Sequence, residues 1–349
     1  MATGAWPTLS DMLSRIDGAQ KPLYIAEMLS QAIPLMEDLP QREGTEIMGH
    51  EYGYRTSLPA GTFRMLNQGV GYSKSTTGKA RVGMATLEAY SQVDRLLAEM
   101  NPSGVEQFRT SEDVSFIEGL GQTWEQNLWY GNTATNPAAF MGLSVYYNTR
   151  TQTNAQNAVN VLNGGGVGSN NASLWLCGWG MRTAYGVFPR GSQGGLASED
   201  KADVTPAYDN VGNRFEAYTT WFRMMGSIAV EDWRHIVRIA NLDVTTAGLA
   251  GPTPPDLFVL MSQAVMLPPA MGRQISGISK TDAPTDAIPS TKPSFYCNRT
   301  IRFWLDVQGI RDRNVLITVN DAAGKPQDMF RGIPVTVSDR LLITEDAVS

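Results

Sequence analysis

From Val105 onward, apolar residues fall at Phe108, Phe116, Ile117, Leu120, Trp124 and Leu128. This spacing predicts one long amphipathic helix that ends at Gly131. At 1.5 Å per residue, a helix of about 26 residues spans roughly 40 Å. Its polar positions are acidic: Glu106, Glu112, Asp113, Glu118 and Glu125 read as an exposed face. Gly119 and Gly121 lie inside it and predict a bend, since each costs about 1 kcal/mol against Ala. Helical spacing also runs through Leu9, Met12, Leu13 and Ile16 after a cap at Ser10, then through Ile25, Met28 and Leu29, until Pro34 and Pro40 break it. Two readings stay open for residues 1–45: a helix packed on its own core, or an arm that grips a neighbour.

The middle of the chain reads as β structure. Ser173 to Trp179 and Ala184 to Phe188 are apolar runs, and Phe215 to Val230 is a longer one. Trp233 to Ile239 continues apolar, and His235 within it reads as a strand residue. Residues 132–170 and 190–212 are polar, Asn-, Gly- and Asp-rich, and read as loops. Leu257 to Met266 and Asn298 to Val307 predict short helices. Residues 314–319 and 333–337 predict strands with a turn at Asp321 to Lys325. Residues 267–294 are rich in Pro, Ser and Thr and read as a surface loop.

One stretch fits neither pattern. Tyr52 to Leu87 contains no acidic residue, yet carries Arg55, Arg64, Lys74, Lys79 and Arg81. Turn formers interrupt it, and its apolar residues are too scattered to build a core. This predicts a two-stranded arm whose stabilising partner lies elsewhere, because an isolated hairpin is marginal in water.

Composition narrows the function classes. The 349 residues carry a net charge of −6, with 42% hydrophobic and 18% charged residues, which is a folded chain and not a bulk nucleic-acid binder. No apolar run is long enough to span a membrane. Met1 to Ser10 shows neither the basic nor the apolar region of a signal peptide. Cys177 and Cys297 fit buried small hydrophobes in a reducing compartment, a single bridge between them being the alternative.

No catalytic pattern stands out. The two histidines, His50 and His235, sit in no metal-binding spacing. Ser73 to Lys79 lacks the first glycine of a phosphate loop, and Ala80 stands where Ser or Thr would bind magnesium. Gly164 to Gly168 fails the dinucleotide spacing, with Asn171 at the last glycine. The chain is therefore read as a non-enzyme with no cofactor and no metal.

In order, four segments resemble the major capsid proteins of short-tailed phages of the epsilon-fifteen kind, within the Hong Kong 97-like capsid fold. They are Arg55-Thr56-Ser57-Leu58-Pro59 through Thr77, Phe108 to Gly119 with Tyr130-Gly131-Asn132, Asp232 to Asn241, and Phe295 to Thr300 with Phe330 to Val335. The resemblance implies an α+β fold: an N-terminal arm (1–45), an extended loop (46–85), a P domain with a spine helix (86–134), an A domain (135–330) and a C-terminal P-domain strand (331–349). It implies hexamers and pentamers of an icosahedral shell around double-stranded DNA, in a virion made in the bacterial cytoplasm. Portal, scaffolding and decoration proteins would be the other partners. A bacterial nanocompartment shell is the alternative.

On this basis the extended loop, through Arg55, Phe63, Arg64, Met65, Lys74, Lys79 and Arg81, is expected to lie across a neighbouring subunit's spine helix at Glu112, Asp113, Glu118 and Glu125. Charge would set register, and Phe63, Met65 and Leu66 would supply the apolar anchor.

Overall fold

The computed structural model describes the chain apart from residues 1–5, 14, 16–30, 32, 103, 154, 193, 210, 246–247, 252–253, 270–290, 312–316 and 323–324. In chain order it runs α1 (Leu9–Leu13), α2 (Leu35–Asp38), β1 (Gln41–Glu43), β2 (Gly49–Ser57), β3 (Thr76–Gly83), β4 (Ala85–Asp94), α3 (Arg95–Glu99), α4 (Val105–Tyr130) and α5 (Leu143–Tyr146). Then come β5 (Val161–Asn163), β6 (Asn171–Trp179), β7 (Ala184–Phe188), β8 (Leu196–Tyr208), β9 (Arg214–Val230), β10 (Ile236–Asp243) and α6 (Leu257–Met266). The chain closes with β11 (Lys292–Cys297), α7 (Arg299–Arg311), β12 (Ile317–Ala322), β13 (Lys325–Phe330) and β14 (Ile333–Val337).

Three sheets organise these elements. Among the described residues, β2 and β3 pair only with each other. The long β9 carries β4 and β8 on its two edges, and its last residues pair with β7, which in turn holds β1. The largest sheet runs β12-β13-β14-β11-β6-β10-β5.

β6 shows why the large sheet is central. Every residue from Asn171 to Trp179 is buried, the mark of a strand covered on both faces. Alternation divides its side chains between two cores. Trp175, Cys177 and Trp179 join Trp124, Leu128 and Trp129 of α4. Ala172, Leu174 and Leu176 join Leu257, Phe258 and Met261 of α6 and Ile301 and Leu305 of α7. The C-terminal half of α4 thus lies on one face of the sheet, and α6 and α7 lie on the other. The N-terminal half of α4 covers the β9 sheet, where Phe116 stacks on Phe222 at 6.1 Å. Phe108 meets Val93 and Leu97 there.

The predicted long helix is present from Val105 to Tyr130. Gly131 stops it by close approach: a Cβ there would sit 2.4 Å from the Phe140 carbonyl oxygen. Gly121 lets the Ile33 side chain reach the helix, with a Cβ placed 3.0 Å from its Cδ1. α1 starts at Leu9, so Ser10, expected as its cap, lies inside the helix, and the Thr8 Oγ1 before it accepts the Asp11 amide at 3.3 Å. The second helical pattern, through Ile25, Met28 and Leu29, lies outside the described residues.

Several elements differ from the sequence expectation. Residues 196–208, expected as loop, form β8, an edge strand with charge along Glu199, Asp200 and Lys201. Its polarity suits an edge that must not pair further. Lys325–Phe330, for which no strand was expected beyond the turn at Asp321 to Lys325, forms β13, antiparallel to β12 with Ala322 opposite Lys325. Lys292–Ser294 opens β11 rather than ending a surface loop, while residues 270–290 lie outside the described residues. His235 stands in a short 3-10 turn before β10, buried.

Strand pairing also crosses the expected domain boundaries. β4, from 86–134, pairs with β9, from 135–330. β14, expected to join the spine helix, pairs with β11 in the large sheet. The tail beyond it is fixed to that sheet too. Asn171 and Glu345 exchange backbone hydrogen bonds of 3.2 and 2.9 Å, and the Asn241 side chain holds both polar groups of Val348.

Candidate assembly interface

The acid-free stretch forms a two-stranded ribbon that leaves the body. Its root is packed: His50 is buried, its Nε2 lies 2.9 Å from the Tyr185 hydroxyl, and it pairs in register with Val82. Burial depresses the His50 pKa, and Arg42 depresses it further, so the ring is neutral at pH 7. The Tyr52 hydroxyl donates to the Val230 carbonyl at 2.8 Å. From Gly53 to Tyr72 every residue is exposed. Phe63 and Tyr72 have exposures of 105% and 109%, and Leu58, Met65 and Leu66 also face solvent. The segment thus presents an exposed apolar surface with no core of its own.

The basic residues divide into two groups. Lys79 pairs with Glu51 at 2.9 Å, and Arg81 pairs with Glu46 at 2.7 Å. The hydrogen bond and charge of the partner raise the Lys79 pKa and lower that of Glu51. These two cations therefore brace the ribbon's own strands. Arg64 donates to the Gln68 carbonyl at 3.1 Å, inside the tip. The side chains of Arg55 and Lys74 have no hydrogen-bond or ion-pair partner among the described residues.

On the spine, the four predicted acids serve their own chain. Glu112 pairs with Arg15, whose guanidinium also lies over Phe108. Asp113 accepts from the Thr220 hydroxyl at 3.2 Å. Glu118 accepts the Gln31 amide at 3.0 Å and the Gln122 side chain at 2.8 Å. Glu125 corrects the expectation most sharply. It is fully buried rather than exposed, held by Ser338 and Trp129. The helix turns it inward, beside Trp124 and Leu128. The open face of α4 is instead Glu106, Thr110, Val114, Ile117 and Thr123, with Val114 and Ile117 as its exposed apolar residues.

Sequence reasoning missed Tyr72, Val114 and Ile117 as candidate contacts. Tyr72 stands between Gly71 and Ser73, an aromatic with no apolar neighbour to pack on, which is a legible signal. Ile117 read as core because helical spacing alone does not say which stripe is covered, and Val114 fell outside the stripe that was read.

The remaining motifs resolve structurally. Gly166 would place a Cβ 2.1 Å from Asn171 Oδ1 and 2.9 Å from the Asn241 carbonyl, so the glycine run serves close packing beside β10. Cys177 and Cys297 are both free and buried. Among the described residues there is no cluster of His, Cys, Asp or Glu able to hold a metal, and no helix long and apolar enough to cross a membrane.

Comparison with known proteins places this geometry. The chain is similar to the capsid protein of bacteriophage Epsilon15, at 28% identity with a TM-score of 0.74, over 100% of this chain and 99% of that one. The capsid of bacteriophage JBD30 (10% identity, TM-score 0.48, 91% and 95% coverage) and the SrpI encapsulin of Synechococcus elongatus PCC 7942 (11%, 0.44, 64% and 92%) are more distant. No curated protein matches the sequence. The family model for major capsid protein GP7 matches residues 17–349, and the chain belongs to that family.

Proposed function

We propose that copies of this chain close into hexamers and pentamers of an icosahedral shell around double-stranded DNA, held together by the extended loop. The carrying observation is the exposed ribbon tip, with Phe63 and Tyr72 fully in solvent beside Leu58, Met65 and Leu66. A closed shell needs segments that give their area to a neighbour, through heterologous contacts whose rotation closes.

In this reading the tip lies on the neighbour's spine helix. Val114 and Ile117 meet its apolar residues, and Arg55, Arg64 and Lys74 add register. Half-buried Glu112, Asp113 and Glu118 are secondary charge contacts, already engaged in their own chain. Glu125 is excluded by burial, and Lys79 and Arg81 stiffen the ribbon. The body carrying α4 and the β9 sheet corresponds to the P domain, and the large sheet with α6 and α7 to the A domain. Portal, scaffolding and decoration proteins would be further partners, in a virion assembled in the bacterial cytoplasm. The subunit acts by assembly and not by catalysis.

Negative-stain electron microscopy of the purified full-length protein tests this. Closed icosahedral particles are expected. A stable monomer that forms neither rings nor shells would overturn it.

A further inference from the structure

The junction between α4 and the C-terminal segment holds two charged groups with unmet hydrogen bonds. Glu125 Oε1 accepts from Ser338 Oγ at 2.5 Å and from Trp129 Nε1 at 3.3 Å. No donor reaches its buried Oε2 among the described residues. Two residues past Ser338, Arg340 turns its guanidinium to three amide side chains. It donates to Gln31, to Gln122 at 2.7 Å and to Gln126 at 3.4 Å. Its buried Nε has no acceptor among the described residues. An open carboxylate oxygen and an open guanidinium N–H thus share one interface without meeting.

We infer that Glu125 and Arg340 are the two halves of a latch between the C-terminal segment and the N-terminal arm. With Glu125 neutral, the C-terminal segment is held through Ser338, and Arg340 holds the arm through Gln31. With Glu125 ionised, its carboxylate draws the guanidinium off the amides, and the Gln31 side chain is freed, leaving the arm held here by the Gln31 backbone amide on Glu118. The proton passes to solvent.

The surroundings support this. Burial raises the Glu125 pKa to about 7, against the lowering pull of its two hydrogen bonds and of Arg340. Glu118 of α4 faces the same amides, accepting the Gln31 backbone amide at 3.0 Å and the Gln122 side chain at 2.8 Å, and the remaining charged groups at the junction are committed elsewhere. Asp339, which also raises the Glu125 pKa, is bound by Arg299 of α7. Tyr130, one turn further along α4, donates to Glu345 at 2.5 Å. Asp38 of α2 accepts from the Tyr296 hydroxyl at 2.5 Å. Arg340 is thus the cation left for Glu125.

Hydrogen exchange of the full-length assembled protein tests the latch, read at peptides covering residues 31–39 and 338–345. After correction for intrinsic rates, the arm peptide is expected to exchange about tenfold faster near pH 8 than near pH 6. Glu125→Gln keeps the acceptor for Ser338 but cannot ionise, so the arm should stay protected at both pH values. Arg340→Gln should free the arm at both, and Arg340→Lys serves in its place should that variant not fold. Equal arm protection at the two pH values in the unmodified protein would overturn the latch, as would an undiminished pH step in Glu125→Gln.

Discussion

Arg238, in the middle of β10, and Glu345, four positions before the last residue, form an ion pair of 2.9 Å with both side chains only 5% exposed. Arg238 also donates to Ser173 at 3.0 Å and to the Tyr147 carbonyl at 2.8 Å, and its guanidinium lies over Trp175. Glu345 accepts in turn from Tyr130 at the end of α4. One buried pair therefore ties the tail, the large sheet and the spine helix. Removing one partner leaves an uncompensated buried charge, which costs about 3–5 kcal/mol. Glu345→Ala and Arg238→Ala should each lower the unfolding free energy, measured by urea titration, by that amount. Loss of less than about 1 kcal/mol would mean that solvent reaches the pair.

Acidity should stabilise the subunit through Glu125. Its folded pKa of about 7 lies above the ordinary glutamate value of 4.5, so the folded state holds the proton more tightly than the unfolded chain. Unfolding free energy should therefore fall as pH rises from about 4.5 to about 7 and level off above. The pKa difference corresponds to at most about 3 kcal/mol. Urea titrations at pH 5 and pH 8 measure it. In Glu125→Gln the slope across that window should shrink by the same amount.

Apolar truncation at the ribbon tip should separate folding from assembly. Phe63→Ala and Tyr72→Ala remove side chains that touch nothing in their own subunit, so the melting temperature should stay within about 0.5 kcal/mol equivalent. The yield of closed shells by microscopy should drop steeply, since buried aromatic anchors dominate interfaces. Normal shells from the double variant would show that cohesion lies elsewhere.

Charge reversal tests the register. Arg64→Glu with Lys74→Glu should stop shell formation while far-ultraviolet circular dichroism remains native. Each exposed pair is worth only about 0–1 kcal/mol, so the effect should come from repulsion and should weaken with salt. Shells forming normally at moderate salt would remove charge from the assembly model.

Val114→Asp on the open face of α4 should act like the tip variants. The position is exposed in the subunit, so stability should change by less than about 0.5 kcal/mol. Sedimentation should show unassembled subunits if this face receives the neighbour's loop.

Much of the fold was legible because it follows from local pattern. The long helix, β6, β7, β9 and α6 fall where periodicity placed them. The absence of acids and of a local core from Tyr52 to Leu87 marked the segment that forms most of the β2–β3 ribbon. β8 was missed because an edge strand carries charge that reads as loop. Glu125 was misplaced for a different reason. Helical spacing assigns a residue to an angular position, but α4 is covered on two sides, by the β9 sheet and by the C-terminal segment.

The sequence by itself determined that this chain has a long helix, a buried central strand and a basic arm without a local partner. These depend on hydrophobic period and charge, which neighbours in sequence share. Only the tertiary structure decided which acids on the spine are spent. Arg15, Thr220, Gln31 and Ser338 reach them from segments separated by roughly 90 to more than 200 positions, and no local pattern encodes such pairings. It also decided that the tail belongs to the large sheet, because Arg238 requires a buried counter-charge and Glu345 is the carboxylate that reaches it.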